Sequence, residues 1–289
     1  MSRGARPIRD SEVQQHYHTV LVDLDDVSLD EYTDVWRDWI SYSRLNQLDG
    51  LDRFHQAHYT QGTTQTFDHF VIRHRNRTIA TLAGEFQYHN CISKRDTQHR
   101  VIDLAGNGFG DIDENCAVLI SCPFSDYGIE HPRMRDLLDY CEANEIPVCL
   151  DLAYWPIARY QEIDLNEWTM IEDVTFSLSK AFAPLERHRV GVRFSRKYHD
   201  DGICMLNEVK MYNEFSMMLG VEFMRSFPPD YNWNQYGFEY ERICHAKSLI
   251  TTDTVIFGLG DGSRYPDNNR GVPGNYRVCI SEELANANH

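Results

Sequence analysis

The sequence predicts an α/β fold, a mostly parallel sheet flanked by helices, on three observations. Strand-like apolar runs alternate with stretches whose apolar residues recur at helical spacing, the pattern of strands joined by crossover helices. The strongest run, Cys116-Ala117-Val118-Leu119-Ile120-Ser121, is apolar without alternation, as a strand covered on both faces must be. Ser125, Asp151 and Lys180 all fall at or just past strand ends, where ligands sit in such sheets.

A chain of 289 residues can bury a full core, as one large domain or one domain with a small lobe. With 42% hydrophobic and 25% charged residues, its composition is that of an ordinary soluble globule. Acidic side chains outnumber basic ones 44 to 28, for a net charge of −16. Phosphate binding needs clustered Lys and Arg, so nucleic acid and anionic membrane surfaces are not the expected partners. No stretch approaches the roughly 18 consecutive apolar residues of a membrane helix. Residues 1–6 lead into no apolar segment, so no secretory signal is expected. Eight cysteines are scattered without a C-x-x-C pair, several inside apolar runs, which suits a reducing cytoplasm. Among thirteen histidines, His16/His18 and His55/His58 lack the carboxylate-plus-histidine set of a metal centre, and no metal is expected.

In chain order, residues 1–58 read as an N-terminal arm and helix, 59–197 as the large α/β domain and 198–289 as a small C-terminal lobe. Residues 1–30 are mostly polar and acidic, with Asp23, Asp26 and Asp30 among them, a solvated lead-in. Tyr32, Val35, Trp36, Trp39 and Ile40 then fall at helical spacing, an aromatic stripe for the core or a subunit interface. Gly62-Thr63-Thr64 opens a helical stretch reaching about Arg73. Free N–H groups and hydroxyls at a helix start make an anion site, although G-T-T serves equally as a plain N-cap. Strands are expected at 78–82, 101–104 and 116–121, the last running into Cys122-Pro123-Phe124-Ser125-Asp126-Tyr127-Gly128. Met134, Leu137, Leu138 and Cys141 mark one helix face, and strands follow at 147–151, 174–177 and 190–194. Past Lys197 come helical spacing over 207–225, a break at Phe227-Pro228-Pro229, a helix near 239–250, and a strand pair at 254–258 and 276–280.

A lysine that closes a buried-looking strand is an unusual place for a charge. An unpaired buried ammonium is costly enough that it neutralises or reacts, and a Schiff base is one chemistry that uses such a group. The alternative is a lysine whose stem packs while its head reaches water. Lys180 is not alone, however: Asp151 lies before it and Arg189 after it, each near a strand boundary.

Asp151-Leu152-Ala153-Tyr154, Ser177-Leu178-Ser179-Lys180 and Arg189-Val190-Gly191 stand in that order. With Gly62-Thr63-Thr64 and the turn from Pro123 to Gly128, they resemble the class I/II aminotransferases, the fold-type I group of pyridoxal phosphate (PLP) enzymes. The resemblance covers about residues 60–194, with a fainter echo at Arg277, and marks a short, divergent member with a reduced C-terminal lobe. It implies that Lys180 holds PLP as a Schiff base and, once displaced, moves the substrate's α-proton. Asp151 would face the pyridine nitrogen and Tyr154 the phenolic oxygen. Gly62, Thr63, Thr64, Ser177 and Arg189 would bind the phosphate, Tyr88 would stack on the ring, and Arg277 would grip the substrate carboxylate. Tyr88 could equally be a strand-end core residue, and an arginine beginning a strand is common. Where the family carries an asparagine before its P-T-G turn this chain has Ser125, with Tyr127 as the other substitute, and Arg187 competes with Arg189 for the phosphate.

The function implied is an aminotransferase acting on an α-amino acid, in specialised metabolism. A lyase, decarboxylase or oxidase on the same scaffold and a non-catalytic relative are the alternatives. The resemblance also implies a homodimer with sites at its interface, Tyr17, Tyr32 and the aromatic helix being candidates to cross over.

Overall fold

The structure, a computed structural model, describes residues 4–20, 27–89, 91, 99–102, 108–270 and 272–287. Eleven strands are described: β1 (Gln47–Asp49), β2 (Gln56–Gln61), β3 (Thr78–Leu82), β4 (His99–Ile102), β5 (Cys116–Ser121), β6 (Val148–Asp151), β7 (Glu162–Asp164), β8 (Ile171–Ser177), β9 (Val190–Ser195), β10 (Phe257–Gly260) and β11 (Tyr276–Cys279). Seven form the central sheet in the order β2-β9-β8-β6-β5-β3-β4. The run β8-β6-β5-β3-β4 is parallel, whereas β9 is antiparallel to both β8 and β2. The sheet is therefore mostly parallel, as expected. The exception arises because the chain between β8 and β9 holds only the one-turn helix Leu185–His188, too little for a crossover.

Alternation along β5 shows how the sheet is buried on both faces. Ala117 and Leu119 join a cluster with Phe67, Phe70 and Val71 of helix α3 (Thr63–Arg73), after α1 (Ser11–Thr19) and α2 (Leu29–Ser41). Cys116, Val118 and Ile120 point the other way, into the main core. That core takes the aromatic stripe of α2: Tyr32 is fully buried with its hydroxyl donating to Gly191 O at 2.7 Å, and Trp36 and Trp39 meet edge-on at 5.7 Å. Tyr32 is thus a core residue of its own chain rather than a residue crossing to a partner. Tyr17 pairs with His188 Nε2 at 3.0 Å.

Several boundaries differ from the sequence reading for identifiable reasons. The 207–225 stretch is two helices, Gly202–Glu208 and Glu214–Ser226, because Asn213 starts a new helix by accepting from Ser216 N at 3.0 Å. Met217, Leu219 and Phe223 of the second helix enter the main core, so this segment packs with the large domain. The helix expected near 239–250 begins directly after the prolines, at Tyr231–Lys247. A second hydrophobic core gathers Trp233, Tyr236, Tyr240, Val255–Phe257 and Ile280. Ala5 and Ile8 are buried in it, and Asp10 accepts from Tyr236 and Tyr231 at 2.5 and 3.1 Å. The first ten described residues are therefore packed, not a solvated lead-in, and Asp23 and Asp26 lie outside the described residues. Among the described residues, no helix is long and apolar enough to cross a membrane.

β8 starts at Ile171, ahead of the expected 174, and takes Asp173 into the middle of the sheet. The carboxylate is satisfied there: Ser195 Oγ donates to it at 2.6 Å, His199 Nε2 sits at 3.1 Å, and Arg73 closes on its other oxygen. Burial pushes Asp173 up, but the His199 hydrogen bond, Arg73 and Arg193 outweigh it and hold the group below the ordinary carboxylate range. Asp201, on Arg193 at 2.5 Å, and Glu172, on His74 at 2.9 Å, both fall to about 2 despite burial. Carboxyls depressed in the folded state contribute stability above their unfolded pKa that is lost as pH falls through the folded one. The urea midpoint is accordingly expected to drop steeply from pH 4 toward pH 2. Asp173→Asn, which takes the buried carboxylate away from Arg73, Ser195 and His199, should cost about 3 kcal/mol at pH 7 and flatten that acid limb. An unchanged limb in the variant would show that this cluster does not set acid stability.

Candidate functional site

The carboxyl ends of β5, β6 and β8 open into one cavity of about 560 Å³. At one end is an anion cradle. Gly62 has φ +71°, a conformation that side chains rarely adopt, and a Cβ there would stand 2.8 Å from Arg189 Nη2. The glycine therefore lets the guanidinium lie against the backbone where α3 begins. Thr63 and Thr64 open that helix, leaving their N–H groups free for an anion. Arg189 reaches the same place by ending the Leu185–His188 turn in the left-handed conformation, φ +59°, and its Nη2 donates to Thr64 Oγ1 at 2.9 Å. Ser177 and Ser179 hydroxyls, 2.6 Å apart, complete this end.

Further along, Asp151 closes β6, buried, with Oδ1 accepting from Ala153 N at 2.9 Å. Burial pushes its carboxyl up to about 8; the Ala153 N–H pulls it back, Glu85 adds to the rise and Lys180 opposes it. Glu85 is also fully buried and pushed up to about 7, although Ser121 donates through both Oγ (2.7 Å) and N (2.6 Å). His89 lies between these carboxyls, Nε2 3.8 Å from Asp151 and Nδ1 3.7 Å from Glu85, with its ring against Phe67. Lys180 Nζ enters the cavity and donates to Ala5 O at 2.6 Å. Opposite the cradle, Arg277 donates to Ser125 O at 2.5 Å and to the Tyr154 hydroxyl at 3.3 Å.

The structure is similar to that of an aminotransferase from Neisseria meningitidis, with a TM-score of 0.68 and 11% identity, covering 99% of this chain and 91% of that one. It is also similar to the histidinol-phosphate aminotransferase from Clostridium acetobutylicum, with a TM-score of 0.65 and 12% identity over 99% and 95% of the two chains. A PLP-bound C-S lyase from Staphylococcus hominis matches with a TM-score of 0.65 and 11% identity over 94% and 83%. The chain has the fold of these aminotransferases. No protein-family model matches the sequence, and no curated protein matches it either.

Within this aminotransferase fold, Thr63, Thr64, Ser125, Asp151, Tyr154, Ser177, Lys180, Arg189 and Arg277 all line the one cavity, and Gly62 backs it through Arg189. Of the two arginines in competition, Arg189 lines the cavity and Arg187 is exposed outside it. Tyr88 is the correction. Its hydroxyl donates to Asp68 at 3.1 Å, away from the cavity, and Phe86 and Gln87 line the wall instead. Phe86 stands just before the helical turn at 87–89 and lines the cavity, whereas Tyr88, inside that turn, is held by Asp68.

Glu85, Phe86, His89, Arg270 and the backbone at Gly4 and Ala5 were not foreseen as parts of the site. Glu85 through His89 follow directly on β3, so their place past a strand end was a readable signal. Nothing in the sequence marked the other three. Together these groups can hold a dianion at one end, keep a proton on a buried carboxyl beyond it, and present an amine between.

Proposed function

We propose that this protein is a PLP-dependent enzyme acting on amino acids, with transamination as its reaction. The observation that carries the reading is a single cavity that contains an amine, a buried proton-holding carboxyl and a glycine-backed anion cradle. These groups fit PLP: Thr63, Thr64, Ser177 and Arg189 would take its phosphate, a guanidinium fork suiting a dianion. When bound, PLP supplies an aldehyde that condenses with amines and a ring that withdraws electrons from the carbon beside them.

The residues of this chain do the rest. Lys180 Nζ would provide the amine that holds the cofactor and would serve as the base for the substrate's α-proton. Asp151, whose buried carboxyl is raised to about 8, would face the cofactor's ring nitrogen and keep a proton there. Tyr154 positions its hydroxyl by way of Arg277, whose guanidinium would suit the substrate carboxylate. Phe86 walls the site, and the segment at Gly4 and Ala5 screens Lys180 from water.

The test incubates the full chain, loaded with PLP, with a panel of L-amino acids in the presence and absence of 2-oxoglutarate. Transfer of nitrogen into glutamate only when the oxo acid is present is the expected result. Ammonia or CO2 released without an acceptor would assign the chain to the lyase or decarboxylase reading. No uptake of the cofactor would end the PLP reading altogether.

A further inference from the structure

Behind Asp151 stands a second buried carboxyl that the reaction above does not use. Glu85 follows β3, and its side chain, like that of His89, is fully buried. Three donors converge on it: Ser121 N on Oε1 at 2.6 Å, and the Ser121 hydroxyl and Phe86 N on Oε2 at 2.7 and 3.0 Å. Ser121 closes β5 directly beside Asp151 of β6, and both line the cavity. Glu85 therefore ties the turn that carries the Phe86 wall to the strand end next to Asp151. The His89 imidazole spans the remaining gap, 3.7 Å from Glu85 and 3.8 Å from Asp151. Its ring is fixed edge-on to Phe67 and Phe86, at 4.3 and 5.7 Å. Three titratable side chains thus share one buried cluster against the cavity wall.

We propose that Glu85 is a positioning residue for the reaction: acting across His89, it sets the pH range over which the Asp151 end of the cavity holds a proton. Two buried carboxyls this close to one imidazole do not ionise independently, because the first charge raises the cost of the second. The groups around them divide by sign. Arg270, from the loop ahead of β11, favours an ionised Glu85, and Lys180 favours an ionised Asp151. Glu85 itself opposes ionisation of Asp151, while Cys122, next after Ser121, is pushed up by burial and stays a thiol. The three donors on Glu85 suit a carboxylate, so Glu85 gives up its proton first and Asp151 keeps its own to higher pH. A neutral side chain at this position would remove that hold.

This assignment rests on Asp151 serving the reaction proposed above, but its first test needs no cofactor. Carbon-13 NMR of the full chain, labelled at its Asp and Glu carboxyl carbons, follows the cluster from pH 4 to pH 10. Asp151→Asn identifies the Asp151 signal by removing it. In the unaltered protein that signal should shift in two steps, one for each carboxyl. Glu85→Gln should leave a single step, lower by about one pH unit. Glu85→Asp, which keeps a carboxylate, should retain two steps, showing that the glutamine effect is one of charge. In the PLP-loaded enzyme the alkaline limb of kcat should move down by about the same amount in Glu85→Gln, with KM changed by less than about twofold. A single Asp151 step in the unaltered protein, which needs no variant to fold, would overturn the assignment. So would an Asp151 curve left unmoved by Glu85→Gln, the outcome of a merely structural glutamate. Coupled titration in a chain that captures no PLP would sink the enzyme reading alone, and PLP turnover whose alkaline limb ignores Glu85→Gln would sink this one alone.

Discussion

Lys180→Ala and Lys180→Arg are both expected to lower turnover by at least about 10⁴-fold, because each removes the nucleophilic amine and the general base together. The pair of variants separates chemistry from structure. Arginine keeps a cation that can reach Ala5 O, the acceptor of the Lys180 hydrogen bond at 2.6 Å. A guanidinium stays protonated, however, and cannot condense with an aldehyde. Alanine removes the hydrogen bond as well and should cost only about 1 kcal/mol of stability. If Lys180 were merely a brace for the N-terminal segment, Lys180→Arg would keep most of its activity, and the alanine variant would lose function only as far as it lost fold. Single-turnover rates beside urea midpoints distinguish the two outcomes.

Asp151→Asn is expected to make the cofactor-free protein more stable at pH 8 while lowering turnover by about 10³-fold. The two effects have one origin. Burial raises the Asp151 carboxyl to about 8 in the folded chain, against an ordinary value of 3.8. A group raised on folding contributes its stability in full below the unfolded pKa, and that contribution is lost as pH rises through the folded one. Between pH 4 and pH 8 the native chain must therefore keep a proton that the unfolded chain releases. Asparagine has no such burden, and its carbonyl still accepts from Ala153 N. The variant's advantage should be on the order of 2–5 kcal/mol at pH 8 and vanish near pH 4. Its amide cannot hold a proton against a ring nitrogen, which is why catalysis suffers. Parallel pH profiles of stability for the two proteins, or normal turnover in the variant, would contradict the role given to this carboxyl.

What the sequence made legible divides along a physical line. β5 and β6 were readable because every one of their residues is buried, and continuous burial imposes a continuous apolar run. Ser125, Asp151 and Lys180 were readable because the sheet places chemistry at strand ends. Asp173 hid the start of β8, since only distant Arg73, Ser195 and His199 make a carboxylate acceptable there. β2, reading Gln-Ala-His-Tyr-Thr-Gln, is an edge strand with too mixed a pattern to announce itself. Ala5, Ile8 and Arg270 are buried by parts of the chain remote in sequence, so no local pattern records their place. Tyr88 shows the finest limit: the right segment was found, but the phase within it was set by packing around Phe67 and His89.

All of this depends on Lys180 being the residue that meets the cofactor. Borohydride reduction of the PLP-treated protein, followed by peptide mass mapping, tests it directly. The peptide carrying Lys180 should gain the mass of one reduced pyridoxyl phosphate, and Arg189→Ala should diminish the label by weakening cofactor capture. Label on a different lysine, or none at all under conditions that preserve the fold, would contradict the assignment.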